Sequence, residues 1–479
     1  MACCMSGMQW ASAADWNQWR GAQGNGHDSS APAMVDVLPA EGMKPLWISE
    51  EIPAGRAGGW GSPVVAEGKV YLFVHSRELK GDKELPAAKY PWLPPDKRGH
   101  LSDEQYKEYE KNRRDEDFMR GTFYNFQETI FCFDLTNGKT LWKNQRPSRY
   151  TRFVQSGTPA VVDGKLYILM PGRIARCLKA DSGAEVWEKK LPGDFHDEFI
   201  MSSFAVADGA AIILAGHLYG LDANSGEVLW QGDPKTTSGT HSSPVVWNSN
   251  RGPLVVANVG GGSTVCLEPK TGRELWRVDS EANLSTPVVV GEQLITLGDS
   301  RKKGLRCYNI SPEKAEHQWT YTGVADKGSS PVVVGQHVYA QGEQRLACVS
   351  LESGQAAWSI LLDIGRPQYT SLASADGKVF YTCEGILSFA ASSEDFRPLM
   401  EGKINAAGLL ATKDHFRRLL DLDKVEREAD GQQKALKLYQ QQVGSHGPLE
   451  CASPALSGGK LIVRLKNGLA CYDFTVTKP

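Results

Sequence analysis

The chain has 479 residues, with 53 basic against 56 acidic side chains and a net charge of −3. That balance leaves no basic face of the kind that displaces counterions from nucleic acid, and 41% hydrophobic content excludes wholesale disorder. No run of about 20 apolar residues is present to span a bilayer as a helix. Length alone suggests about three domains, but 49 Gly and 13 Trp point instead to a repeat array.

Residues 1–43 read as an N-terminal segment. Ala11-Ser12-Ala13 ahead of Ala14-Asp15 resembles a signal-peptidase site, while residues 1–10 lack the apolar core of a signal peptide. The expectation is a truncated signal followed by an extended arm, hence a periplasmic or secreted protein. Lys44-Pro45-Leu46-Trp47 then carries a Leu-Trp strand ending that recurs along the chain. From residue 44 to 479 the sequence reads as one domain.

A ten-residue phrase opens each repeat. It runs from Ser62-Pro63 to Tyr71 and again from Thr158-Pro159 to Tyr167. The phrase returns at Ser243-Pro244, Thr286-Pro287, Ser330-Pro331 and Ser453-Pro454, with degenerate copies at Ser203-Phe204 and Ser371-Leu372. A polar turn with Gly, then Trp, follows each copy, as in Gly138 to Trp142 and Gly183 to Trp187. The series continues with Gly226 to Trp230, Gly272 to Trp276 and Gly354 to Trp358. The fifth unit has Trp319 without the Gly, and the seventh is expected to carry Leu399 in place of Trp. Spacings of 96, 45, 40, 43, 44, 41 and 82 residues become about 42 once insertions 77–127 and 403–445 are removed.

Alternation with period two inside each unit predicts four short strands separated by Gly-rich turns. Eight such units make an all-β, eight-bladed β-propeller. The last unit, from Ala452 to Phe474, supplies three strands, and Lys44–Trp47 is expected to add its outer one, closing the ring and removing both sheet edges. Within the first insertion Ser102-Asp103-Glu104-Gln105 has the form of a capping box before a charged helix to about Met119. The second carries a helical apolar stripe through Leu409, Leu410, Phe416, Leu419, Leu420 and Val425, then Gly431 and a second stretch with Leu436, Leu438 and Tyr439. The two insertions are expected to be decorations packed against each other or, alternatively, a partial lid over the pore mouth or a partner-docking surface.

Seven Trp residues (Trp47, Trp142, Trp187, Trp230, Trp276, Trp319 and Trp358) fall at one outer-strand position, where a flat ring would dock each blade on its neighbour. Cys132, Cys177, Cys266, Cys307, Cys348 and Cys471 share one third-strand position that demands a small residue. Members of different blades stand too far apart for disulfides, and no Cys-x-x-Cys or His-rich zinc spacing occurs.

The phrase Ser-Pro-x-Val-x-x-Gly-x-x-Tyr, followed by Leu-Asp-x-x-Ser-Gly-x-x-x-Trp, resembles the repeat of PQQ-binding-like (quinoprotein alcohol dehydrogenase-like) β-propellers. That superfamily includes quinoprotein alcohol dehydrogenases and outer-membrane β-barrel assembly scaffold lipoproteins. Asp15-Trp16-Asn17-Gln18-Trp19-Arg20-Gly21 is similar to the mature start of secreted propellers of the planctomycete type. The resemblance implies either a scaffold or an enzyme holding PQQ and calcium on the axis. In the latter the cofactor often stacks on a disulfide between adjacent cysteines, and the only adjacent pair here is Cys3-Cys4.

Strand direction puts both insertions on one face. The loops entering each inner strand reach the same face and bring Arg152, His196, Asp197, Glu198, His241, Asn283, Lys327, Arg366, Tyr369 and Glu450 toward the pore mouth. These are the candidate binding residues. No Ser-His-Asp order, phosphate loop or metalloprotease motif is present. The sequence therefore reads as a non-catalytic, monomeric scaffold for a protein or glycan (polysaccharide) partner. The alternative is a PQQ-dependent alcohol or sugar dehydrogenase with an axial site.

Overall fold

A computed structural model describes residues 15–81, 85–193, 200–363 and 369–476. Eight antiparallel sheets form around one axis, each entered from an inner strand and left by an outer one. Blade two is representative, with strands Ala160–Val162, Lys165–Met170, Ile174–Lys179 and Glu185–Lys190. Blade eight takes Ala455–Ser457, Lys460–Leu465 and Gly468–Asp473 from the end of the chain and Trp47–Ile48 from its beginning. Trp47 stands opposite Cys471 in that closing pair.

The repeat residues hold adjacent blades together. Each outer-strand Trp donates its indole N–H to a carbonyl just after the third strand of the next blade. Trp47 reaches Leu135 at 2.8 Å, Trp142 reaches Ala180 at 3.2 Å, and Trp187 reaches Ala223 at 3.1 Å. Trp230, Trp276, Trp319 and Trp358 bond Pro269, Ser311, Leu351 and Ser392 at 2.8–2.9 Å. The same rings lie on the turn glycines of the next blade. A Cβ on Gly138, Gly183, Gly226, Gly272 or Gly354 would come within 2.5 Å or less of Trp47, Trp142, Trp187, Trp230 or Trp319. These glycines also have φ between +66 and +73°, the left-handed region that other residues enter at a cost. Gly and Trp are thus partners across a blade boundary rather than within one blade.

The small third-strand position has a matching cause. Cys132, Cys177, Gly220, Cys266, Cys307 and Cys348 each stand opposite the Trp of their own outer strand. A Cβ on Gly220 would meet Trp230 at 2.2 Å, so the indole limits what fits beneath it. In blade seven Ser388 stands opposite Met400, not Leu399. The same bulge precedes the docking residue in the Trp blades, but the turn into this outer strand is longer: Met400 follows Ser388 by 12 residues where Trp187 follows Cys177 by 10. Met400 is buried, as are Trp47, Trp187, Trp276 and Trp319 at this position, while Trp142, Trp230 and Trp358 are half-buried.

The ladder between the second and third strands of blade one continues to the pair Leu79–Tyr124, so the first insertion spans 80–123. Its helix, Asp103–Gly121, starts with the capping box of Ser102 and Gln105. Phe118 and Phe126 both meet Tyr150 edge-on. The second insertion first forms a hairpin, Lys403–Ile404 with Leu410–Ala411. Helices Lys413–Leu419, Leu422–Val425 and Gly431–Tyr439 follow. Its core is Ala411, Phe416 and Val443, with Leu409, Leu420 and Tyr439 against it. Each insertion has its own support among the described residues, the first on Tyr150 and the second on its hairpin. The apolar stripe is also interrupted, because Leu419 and Leu436 face solvent.

Residues 15–35 do not form an arm. They cross the axial channel at the end where the inner strands turn back. Trp16 bridges Val65 of blade one, and Asn17 exchanges hydrogen bonds with Val161 of blade two. Gly24 lies against Val245 of blade four. Arg20, 1% exposed, donates to the carbonyls of Ser330, Pro331 and Asn25. His27–Asp28 adds a parallel strand to Ser374–Ala375 of blade seven, and Met34 bridges Thr475. One end of the channel is closed by the chain itself.

Candidate functional site

The hydroxyl of the Ser-Pro or Thr-Pro phrase joins the blades near the axis. Ser62 N–H donates to Thr158 Oγ1 at 3.3 Å, Thr158 N–H to Ser203 Oγ at 3.2 Å, and Ser203 N–H to Ser243 Oγ at 3.0 Å. The series continues from Ser243 to Thr286, from Thr286 to Ser330, from Ser330 to Ser371, and from Ser453 to Ser62. At the remaining boundary, between blades seven and eight, Ser453 Oγ is buried with no partner among the described residues. A hydroxyl can accept an N–H and donate its own hydrogen, which an alanine or valine cannot do.

Above this ring opens a cavity of about 340 Å³. Its wall takes one residue from every blade, always two positions before the ring Ser or Thr: Trp60, Ser156, Met201, His241, Leu284, Gly328, Tyr369 and Cys451. Trp19 of the crossing segment and Phe153 complete it, with Ser62, Thr158, Ser203 and Ser243 below. The chain enters each inner strand extended, so alternate side chains face opposite ways. This is why the residue one position earlier does not line the cavity.

That alternation sorts the candidates. His241 and Tyr369 line the cavity. Asn283, Lys327 and Glu450 are exposed one position earlier, and their neighbours Leu284, Gly328 and Cys451 face inward. Arg152 is half-buried and acts electrostatically on Asp117 of the insertion helix. His196, Asp197, Glu198 and Arg366 lie outside the described residues, as do Cys3 and Cys4. Trp60, Phe153, Met201 and Leu284 were missed because they carry no charge, although their register relative to the Ser/Thr-Pro phrase marks them.

The lining is electrostatically quiet. Burial lowers the His241 pKa from 6.5 to about 4, so the ring is neutral at physiological pH. Its Nδ1 lies 2.6 Å from Thr240 Oγ1. Burial raises the Cys451 thiol to about 12, which leaves it protonated. Just behind the wall, Asp326 accepts N–H bonds from Gly328, Ser329 and Tyr369 at 2.9, 2.7 and 3.2 Å. Desolvation nevertheless raises its pKa. These bonds hold Tyr369 at φ +64°, an uncommon backbone for a bulky side chain. The ring lies over Gly328, where a Cβ would come within 2.7 Å of it.

PQQ with calcium would demand more. The quinone carries three carboxylates, which need cationic partners when buried, and calcium takes 6–8 oxygen ligands, roughly, mostly carboxylates and carbonyls. No Lys, Arg, Asp, Glu or Asn is among the described lining residues. No group of three or more His, Cys, Asp or Glu suited to a metal occurs among the described residues. The described donor set does not fit that cofactor.

The family described as outer membrane protein assembly factor BamB matches residues 214–379, from blade three into blade seven. Outer membrane protein assembly factor BamB of Moranella endobia is 26% identical over 250 residues, covering 48% of this chain and 62% of that protein. The chain therefore matches less than two thirds of that relative's length. Quinohemoprotein alcohol dehydrogenase ADH-IIG of Pseudomonas putida is 29% identical over 137 residues, covering 25% of this chain and 19% of that one. The structure of quinohemoprotein alcohol dehydrogenase from Comamonas testosteroni superposes with a TM-score of 0.52 at 11% identity, covering 97% of this chain and 81% of its own. The shared feature is the fold. The chain is an eight-bladed propeller with PQQ-like repeats that resembles BamB. Among the described residues no helix is long and apolar enough to cross a membrane.

Proposed function

We propose that this protein is a non-catalytic, exported scaffold that docks a protein partner on the face bearing its two insertions, as the name of the assembly-factor relatives suggests for them. One observation carries the reading. Large apolar side chains stand exposed on that face, most of them outside the repeat. They are Trp92, Met119 and Phe123 in the first insertion, Leu419 and Leu436 in the second, and Phe153 and Tyr369 at the cavity mouth. Exposed apolar groups rimmed by charge mark protein contacts, and the first insertion supplies that rim through its charged helix. Arg152, Asn283, Lys327, Arg366 and Glu450, with His196, Asp197 and Glu198, are the polar positions assigned to the same surface. Periplasmic or secreted location and a monomeric ring belong to this proposal.

Photocrosslinking residues at Phe123, Phe153 and Leu436, with Val228 on an outer strand as the control, test it in the producing cell. Discrete adducts from the first three positions, lost on replacing 80–123 by a short turn, are expected. Adducts from Val228 alone, or none from any position, would refute the docking face.

A further inference from the structure

We infer that the axial cavity is a site for an uncharged, oxygen-rich ring, a pyranose sugar, stacked on aromatic faces at the mouth and hydrogen-bonded to an arc of hydroxyls at the floor. Three properties of the cavity lead to this class of ligand.

The first is the hydroxyl arc. Ser62, Thr158, Ser203 and Ser243 each accept a backbone N–H from the preceding blade. Their oxygens are thereby fixed in place, while their own hydrogens donate to no atom among the described residues. Four O–H donors from four successive blades line one cavity. A purely apolar ligand would leave them facing hydrocarbon, at the cost of unmade hydrogen bonds. A ligand with several hydroxyl or ether oxygens satisfies them.

The second is the absence of countercharge in the described wall. His241 is neutral, and the Arg20 guanidinium behind the floor already donates to three carbonyls. An anion entering here would be desolvated without a cation, and a cation without a carboxylate. The ligand that fits the described lining carries no net charge.

The third is the set of rings. Trp19, Trp60, Phe153 and Tyr369 face the cavity, with Phe153 47% and Tyr369 38% exposed at the mouth. Tyr369 is held by Asp326 at φ +64°, a left-handed backbone that Cys451 shares at the same position of blade eight. Strain of this kind accumulates where a side chain must be aimed. The axial faces of a pyranose present C–H groups to such rings while its rim carries the oxygens. The crossing segment makes the pocket blind, so a small ring enters from the insertion face and stops on Trp19. A volume near 340 Å³ sits at the small end of ligand pockets, which begin at about 300 Å³.

The test is a titration of the full chain with methyl glucoside, N-acetylglucosamine and their disaccharides. Two signals report on it: intrinsic tryptophan fluorescence and saturation transfer to the sugar C–H protons. At least one pyranose is expected to saturate both signals in the millimolar range. Phe153→Ala and Tyr369→Ala should each weaken it about tenfold or more, whereas Leu229→Ala on an outer strand should leave it unchanged. Phe153 is exposed, so its variant keeps the fold and separates loss of binding from loss of structure. The inference fails if no pyranose gives a saturable signal, if both aromatic variants bind as the parent does, or if PQQ with calcium binds and sugars do not displace it. None of these results depends on the protein partner, so the crosslinking result and this one stand apart.

Discussion

Two rings of equivalent positions run around this propeller, and they differ in how much they vary from blade to blade. At the outer-strand docking position seven blades carry Trp and one carries Met400. At the position two residues before the ring Ser or Thr, the eight blades carry Trp, Ser, Met, His, Leu, Gly, Tyr and Cys. Both sets are fixed by the same repeat geometry. The outer one solves a single packing problem around the ring, docking an indole (Met400 in blade seven) on the next blade, over a turn glycine at five of the boundaries. The inner one is under no such common demand, because its side chains meet a cavity rather than a neighbouring blade. Uniformity marks where a repeat protein is built, and divergence at an equally well-placed position marks where it meets something else.

The largest effect that would break this contrast lies in the outer ring. Trp187 is buried and bonded to Ala223, and Trp187→Ala should cost about 3–5 kcal/mol in urea unfolding. Its partner comes next: Gly226→Ala places a methyl 2.5 Å from the indole at φ +73° and should cost about 1–3 kcal/mol.

A pH series sharpens the picture of the buried interior. Burial lowers His75 and His241 from 6.5 to about 4. Between those values the unfolded chain binds more protons than the folded one, so stability is full above pH 6.5 and declines as pH falls toward 4. His75→Gln should flatten part of that slope in urea midpoints measured across the window.

The smallest effects belong to the hydroxyl ring. Ser243→Ala strands the Ser203 N–H and should cost about 1–2 kcal/mol. Ser453→Ala removes a hydroxyl that has no partner among the described residues and should change stability by less than about 0.5 kcal/mol. Equal losses in the two variants would mean that the ring is closed at the last blade boundary as well.

The eight-bladed ring was legible because Ser-Pro, Gly and Trp recur in register, and the closing strand because Lys44–Trp47 repeats their ending. The Gly–Trp partnership was not, since the two residues that touch belong to neighbouring units while the repeat shows them four apart in one. Leu399 was chosen over Met400 because this blade lacks the turn Gly that sets the count and its turn is two residues longer than that of blade two. The crossing of residues 15–35 has no period-two signal, and Arg20 finds two of its three carbonyls more than 300 residues away. At the site, charge was a poor guide. Asn283, Lys327 and Glu450 are polar because they face solvent, and the cavity took their apolar or small neighbours. Choosing by register rather than by chemistry would have selected Trp60, Met201 and Leu284 alongside His241 and Tyr369.

Urea unfolding of Trp187→Ala beside Tyr369→Ala tests the difference between the rings most directly. The outer variant should lose about 3–5 kcal/mol, while the inner one stays within about 0.5 kcal/mol of the parent. A Tyr369→Ala loss as large as that of Trp187→Ala would contradict the account, because the inner ring would then be holding the propeller together rather than lining a place for a ligand.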